Sequence, residues 1–81
     1  MSMLKISFRT SKKREQIVNE AEKFFKEKGL IMKEKGDCCL QMEGGGGYVR
    51  LDIAENDKNE VTLETREWEY QVKQFIEQHG K

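Results

Sequence analysis

The sequence predicts a two-layer α+β sandwich, a five-stranded antiparallel sheet with both helices on one face. Three observations lead there. Five short stretches alternate apolar and polar residues, the period of a half-buried strand. Two longer stretches carry apolar residues at helical spacing. The order β-α-β-β-β-β-α leaves every element with one apolar face, and two packed layers bury all of them.

The elements follow in order along the chain. In Met3 to Arg9, Leu4, Ile6 and Phe8 share one face, and Lys5, Ser7 and Arg9 the other. Ser11 has the hydroxyl of a good N-cap, so a helix is expected from about Lys12 to Lys28. Its stripe is Ile17, Val18, Ala21, Phe24 and Phe25, and Gly29 ends it in a left-handed conformation. The basic run Lys12-Lys13-Arg14 is unusual in a first turn, where the helix dipole favours acids.

Leu30 to Lys35 reads as a short strand, Gly36-Asp37 as a turn, and Cys38 to Glu43 as the next strand. Gly44 to Gly47 is a four-glycine connection. Tyr48 to Ala54 places Val49, Leu51 and Ile53 inward. A polar turn, Glu55 to Asn59, leads to Glu60 to Arg66, with Val61, Leu63 and Thr65 inward. A second helix is expected over Glu67 to His79, its stripe being Trp68, Val72, Phe75, Ile76 and His79. Strands two to five form a meander, and strand one rejoins beside strand five, giving the order 1-5-4-3-2. This plan is similar to that of one repeat of the TATA-box-binding protein and, more loosely, to helix-grip ligand-binding folds. The likeness covers the whole chain and implies a fold only, because no motif is shared.

Eighty-one residues make one domain, spanning 1–81. A chain of this size buries only about 60% of its unfolded surface, so few apolar positions are free to line a deep pocket. No apolar run approaches the ~18 residues of a membrane span. The charged, alternating N-terminus does not read as a signal peptide, so the cytoplasm is the expected location.

Candidate chemistry is sparse. A phosphate-cradling glycine loop leads into a helix with Lys and Ser/Thr close by, whereas here the glycines join two strands and Tyr48 follows. Cys38 and Cys39 are expected on opposite faces of their strand, and His79 is the only histidine. A closed zinc site needs about four ligands, so neither a metal nor a cofactor is expected. No nucleophile–base set stands at a recognisable spacing, and catalysis is not expected.

The outer sheet face is the richest surface. It collects Lys5, Arg9, Gln41, Tyr48, Arg50 and Arg66 with Asp52 and Glu64, and pairing of these charges across strands is expected. The expected function is a small binding or interaction domain for a protein partner, or for a second copy through the sheet face or the edge strand Leu30–Lys35. An alternative is nucleic-acid binding through Arg9, Lys12, Lys13, Arg14, Arg50 and Arg66. A second alternative is an apolar ligand held between helices and sheet, which requires an internal cavity of a few hundred Å³.

Formal net charge is zero, with fifteen basic and fifteen acidic side chains. Residues 1–35 carry ten bases and five acids, and residues 36–81 the reverse. The first strand and helix are therefore expected to be matched electrostatically by the last strand and helix, or by those of a second copy.

Overall fold

The computed structural model describes residues 3–55 and 57–79. Seven elements run in order: β1 (Leu4–Thr10), α1 (Arg14–Glu27), β2 (Ile31–Lys35), β3 (Cys39–Gly44), β4 (Gly47–Glu55), β5 (Asn59–Arg66) and α2 (Glu69–His79). They form one antiparallel sheet in the order β1-β5-β4-β3-β2. α1 packs over β2 and β3, α2 packs over β5, and the helices touch each other. The fold is the α+β sandwich the alternation predicts. Gly80, expected to end α2, lies outside the described residues.

Between the layers lie Phe25, Met42, Val61, Leu63, Val72 and Phe75, all fully buried. Phe24, Phe25 and Phe75 meet at ring-centroid distances of 5.1–5.6 Å, the range of favourable aromatic pairing. Thr65 is fully buried in this layer, and its hydroxyl donates to the Tyr48 carbonyl at 2.7 Å. That bond removes the cost of burying an unpaired hydroxyl.

Three boundaries differ from the sequence reading. Ser11 does not cap α1. The Lys12 N–H is taken by Thr10 Oγ1 at 3.2 Å, and Asn59 Nδ2 donates to the Lys12 carbonyl at 2.8 Å. These bonds hold the chain extended through Lys13, so the helix begins at Arg14 with no side-chain cap. At its far end, Leu30 N–H bonds to the Phe25 carbonyl and Gly29 N–H to that of Lys26, each at 3.1 Å. Gly29 at φ 105° permits this closure, which draws Leu30 into the core ahead of the strand.

The second difference is at α2, which starts at Glu69 because Glu67 occupies the left-handed region at φ 74°. The third is the glycine run, which is a tight turn. Gly45 and Gly46, at φ 58° and 81°, form a two-residue hairpin turn, while Gly44 and Gly47 pair as strand residues. A Cβ on Gly47 would collide with the Arg66 carbonyl and Glu67 Cβ, so the backbones of β4 and the β5–α2 corner approach through the missing side chain.

Candidate functional site

Strand register turns the outer face into four rows. The first holds Arg66, Tyr48, Glu43 and Ile31. The second holds Lys5, Glu64, Arg50, Gln41 and Glu34. The third holds Ser7, Thr62, Asp52 and Cys39, and the fourth Arg9, Glu60 and Ala54. Alternation within each strand sends these side chains away from the helices.

The first two rows, without Lys5 and Glu34 at the ends of the second, line an open groove of about 700 Å³, with Ile31 and Lys33 at one side and Glu64 and Arg66 at the other. β2 forms its rim. A bulge between Met32 and Glu34 interrupts the pairing there, and Ile31 is 66% exposed. The bulge and the lysines defend this edge against pairing with a further strand, which leaves the face as the better surface for contact.

At the groove floor the Tyr48 hydroxyl donates to Glu64 Oε2 at 2.6 Å. That bond, then burial and the Glu64 charge, raises the Tyr48 phenol above its ordinary range, against the pull of Arg66 and Arg50. Gln41 donates to Glu43 at 3.2 Å and accepts a long contact from Arg50 at 3.5 Å. Ser7 and Thr62 share a hydroxyl hydrogen bond of 2.9 Å.

The expected ladder of ion pairs does not form. Among the described residues the ion pairs are Lys12–Glu20, Arg14–Glu55 and Lys35–Glu22, with a His79–Glu20 contact that is ionic only when the imidazole is protonated, and none lies on the outer face. Lys5 stands opposite Glu64 and Arg9 opposite Glu60, yet Glu64 takes the diagonal tyrosine instead. Arg50, Arg66, Asp52 and Glu60 have no ion-pair partner within 4 Å among the described residues, although Arg50 touches Gln41 and Asp52 faces the Cys39 thiol. The matching expected between the first strand and helix and the last does not form as ion pairs among the described residues: Arg14 reaches Glu55 on β4, and His79 of α2 meets Glu20 of α1 in the opposite sense, acid in the first half and base in the second.

The structure gathers Lys5, Gln41, Tyr48, Arg50 and Arg66 on one face, and Arg9 joins their outer edge. It does not assemble the basic run with them. Lys12 turns to Glu20 at 3.2 Å, Arg14 reaches Glu55 at 3.5 Å, and Lys13 and Arg14 border a depression that also holds Glu55 and Asp57. The run is thus partly neutralised at the end of the helical layer.

The two cysteines correct a further expectation. Cys38 lies in the bend before β3, held to β4 by its carbonyl, which accepts from the Ile53 N–H at 2.9 Å, and its side chain does not follow strand alternation away from Cys39. Their sulfurs sit side by side at 2.6 Å. The sequence signal is the Gly36-Asp37 turn directly before them, which leaves Cys38 free of the pleat. Among the described residues no three His, Cys, Asp or Glu side chains gather as a metal site. No described helix is long and apolar enough to cross a membrane.

Comparison of the chain with protein-family models, curated proteins and solved structures finds no match. The likeness to the TATA-box-binding repeat therefore rests on element order alone.

Proposed function

We propose that the chain is a small, non-catalytic interaction domain whose outer sheet face binds a second copy of itself. The observation that carries this reading is the reciprocal placement of the face's unpaired charges. Arg50 and Arg66 lie on one side of Leu51 and Leu63, and Asp52 and Glu60 on the other. Consider a two-fold axis between two such faces, perpendicular to the strands and level with Leu51. It sets Arg50 over Asp52 of the second copy, Arg66 over its Glu60, and Tyr48 over its Ala54. The symmetry repeats each contact in the opposite sense, as an isologous interface requires.

Beside them Lys5 falls over Ser7 and Glu64 over Thr62, pairings of a charge with a neutral hydroxyl. Strands about 4.8 Å apart give five of them a face that buries on the order of 1,000 Å² in total. That is the lower end for a specific contact, so a weak, salt-sensitive dimer is the form expected. A cytoplasmic location, where Cys38 and Cys39 stay reduced, belongs to the same reading. Sedimentation velocity at low ionic strength tests it. A concentration-dependent monomer–dimer equilibrium that weakens in salt supports it, and a strict monomer to about millimolar concentration removes it.

A second reading is favoured by Tyr48 standing between Arg50 and Arg66. Single-stranded nucleic acid is bound by aromatics on which bases stack, within cationic grooves. Glu43 and Glu64 in the same groove oppose phosphate, and the Lys12–Arg14 run lies apart from it. Salt-dependent binding to short oligonucleotides, lost on Arg50→Ala and Arg66→Ala, is the result this reading needs. The filled layer of Phe24, Phe25, Phe75 and Met42 counts against an apolar ligand between helices and sheet.

A further inference from the structure

We infer that Cys38 and Cys39 form a chelating dithiol site for a neutral trivalent arsenical, a centre that takes two sulfurs at a sharp angle. Geometry is the first support. The sulfurs lie side by side at 2.6 Å, closer than two bonds to one arsenic would hold them, and both residues are partly exposed, so a small rotation apart presents two thiols to one incoming centre. A linear two-coordinate ion such as Cu(I) would need its sulfurs on opposite sides, which adjacent residues in this bend do not offer.

Ligand count is the second support. Among the described residues no third Cys, His, Asp or Glu completes a cluster, and a closed zinc site takes about four ligands. A mono-organo arsenical needs two sulfurs, since its third bond goes to carbon.

The proton balance is the third. The Cys39 thiol is pushed up to about 12, by its hydrogen bond with Cys38 first, then by burial and by Asp52 across the strand pair. A divalent cation must first displace both thiol protons, which the raised Cys39 value opposes. Condensation with a neutral arsenic centre avoids this. Two S–H bonds and one As=O bond break, two As–S bonds form, and both thiol protons leave with the oxygen as one water. No electron is transferred and no net charge develops. Space is available, because Cys39 borders a surface groove of about 570 Å³ with Glu34, Gly36, Gln41 and Asp52.

The test is native mass spectrometry of the reduced chain with phenylarsine oxide. The expected product is a one-to-one adduct, heavier by the arsenical less one water. It resists excess glutathione and is stripped by a small dithiol. Cys38→Ser and Cys39→Ser each retain a single As–S bond, so resistance to the monothiol falls by about 100-fold or more. The inference is overturned if no adduct forms on the folded chain. It is also overturned if glutathione strips the wild-type adduct as readily as a dithiol does, or if either serine variant holds the arsenical as firmly as wild type. Comparing monothiol with dithiol on the unmodified chain needs no variant, so the test survives a variant that fails to fold.

Discussion

Tyr48 on β4 donates its hydroxyl to Glu64 on β5 at 2.6 Å, a diagonal contact, since Tyr48 pairs in register with Arg66 and Glu64 with Arg50. The diagonal removes Glu64 from the reach of both arginines as an ion-pair partner. It leaves two guanidinium groups on the face that the fold itself does not neutralise.

The first prediction concerns this bond. Because Glu64 holds the phenol protonated, Glu64→Gln should lower the Tyr48 titration midpoint toward the ordinary value of about 10. Ultraviolet titration in a Tyr70→Phe background isolates Tyr48. An unchanged midpoint would show that Glu64 does not govern the phenol.

The second concerns the close approach at Gly47. Gly47→Ala forces a Cβ against backbone that cannot yield cheaply, and should destabilise the fold by about 1–3 kcal/mol. Gly36→Ala meets open space without a positive φ, and should be near neutral or slightly stabilising. Denaturant melts of the two variants check the contrast, and equal melts would contradict it.

The third concerns acid. Burial raises the Glu20 carboxyl, but hydrogen bonds from Gln16 and Lys12 and the charges of Lys12 and His79 outweigh it and hold the group below its usual range. A depressed carboxylate contributes stability above its unfolded value of about 4.3, and that stability is lost as pH falls through the lower folded value. His79 contacts Glu20 at 3.0 Å while stacking on Phe75, so the loss loosens α1 from α2. Glu20→Gln should therefore be less stable than wild type at pH 7, with the gap closing below about pH 4. A gap that stays constant in denaturant midpoints across this range would contradict it.

Much of this was legible in the chain. The alternation of Val49, Leu51 and Ile53 and of Val61, Leu63 and Thr65 assigned faces correctly, and the short connections between strands two to five implied the strand order. What escaped has local causes. Ser11 is a good cap by type, but Thr10 and Asn59 reach the same backbone first, and Asn59 arrives from 47 residues away. The Cys38–Cys39 convergence depends on where a strand begins, a boundary that alternation alone does not fix. Charge pairing failed because register names the residue opposite, while a ring as long as Tyr48 reaches the diagonal one.

In the proposed dimer Arg50 of one copy meets Asp52 of the other, and exchanging these two charges probes that contact from both sides. Arg50→Glu and Asp52→Arg each place like charges together twice across the two-fold. Each should weaken the dimer by at least about tenfold in sedimentation velocity at low ionic strength. The double variant Arg50→Glu/Asp52→Arg restores opposite charges across the interface and should recover dimerisation to within a few-fold of wild type. Single variants that associate like wild type, or a double variant as weak as either single, would contradict the account.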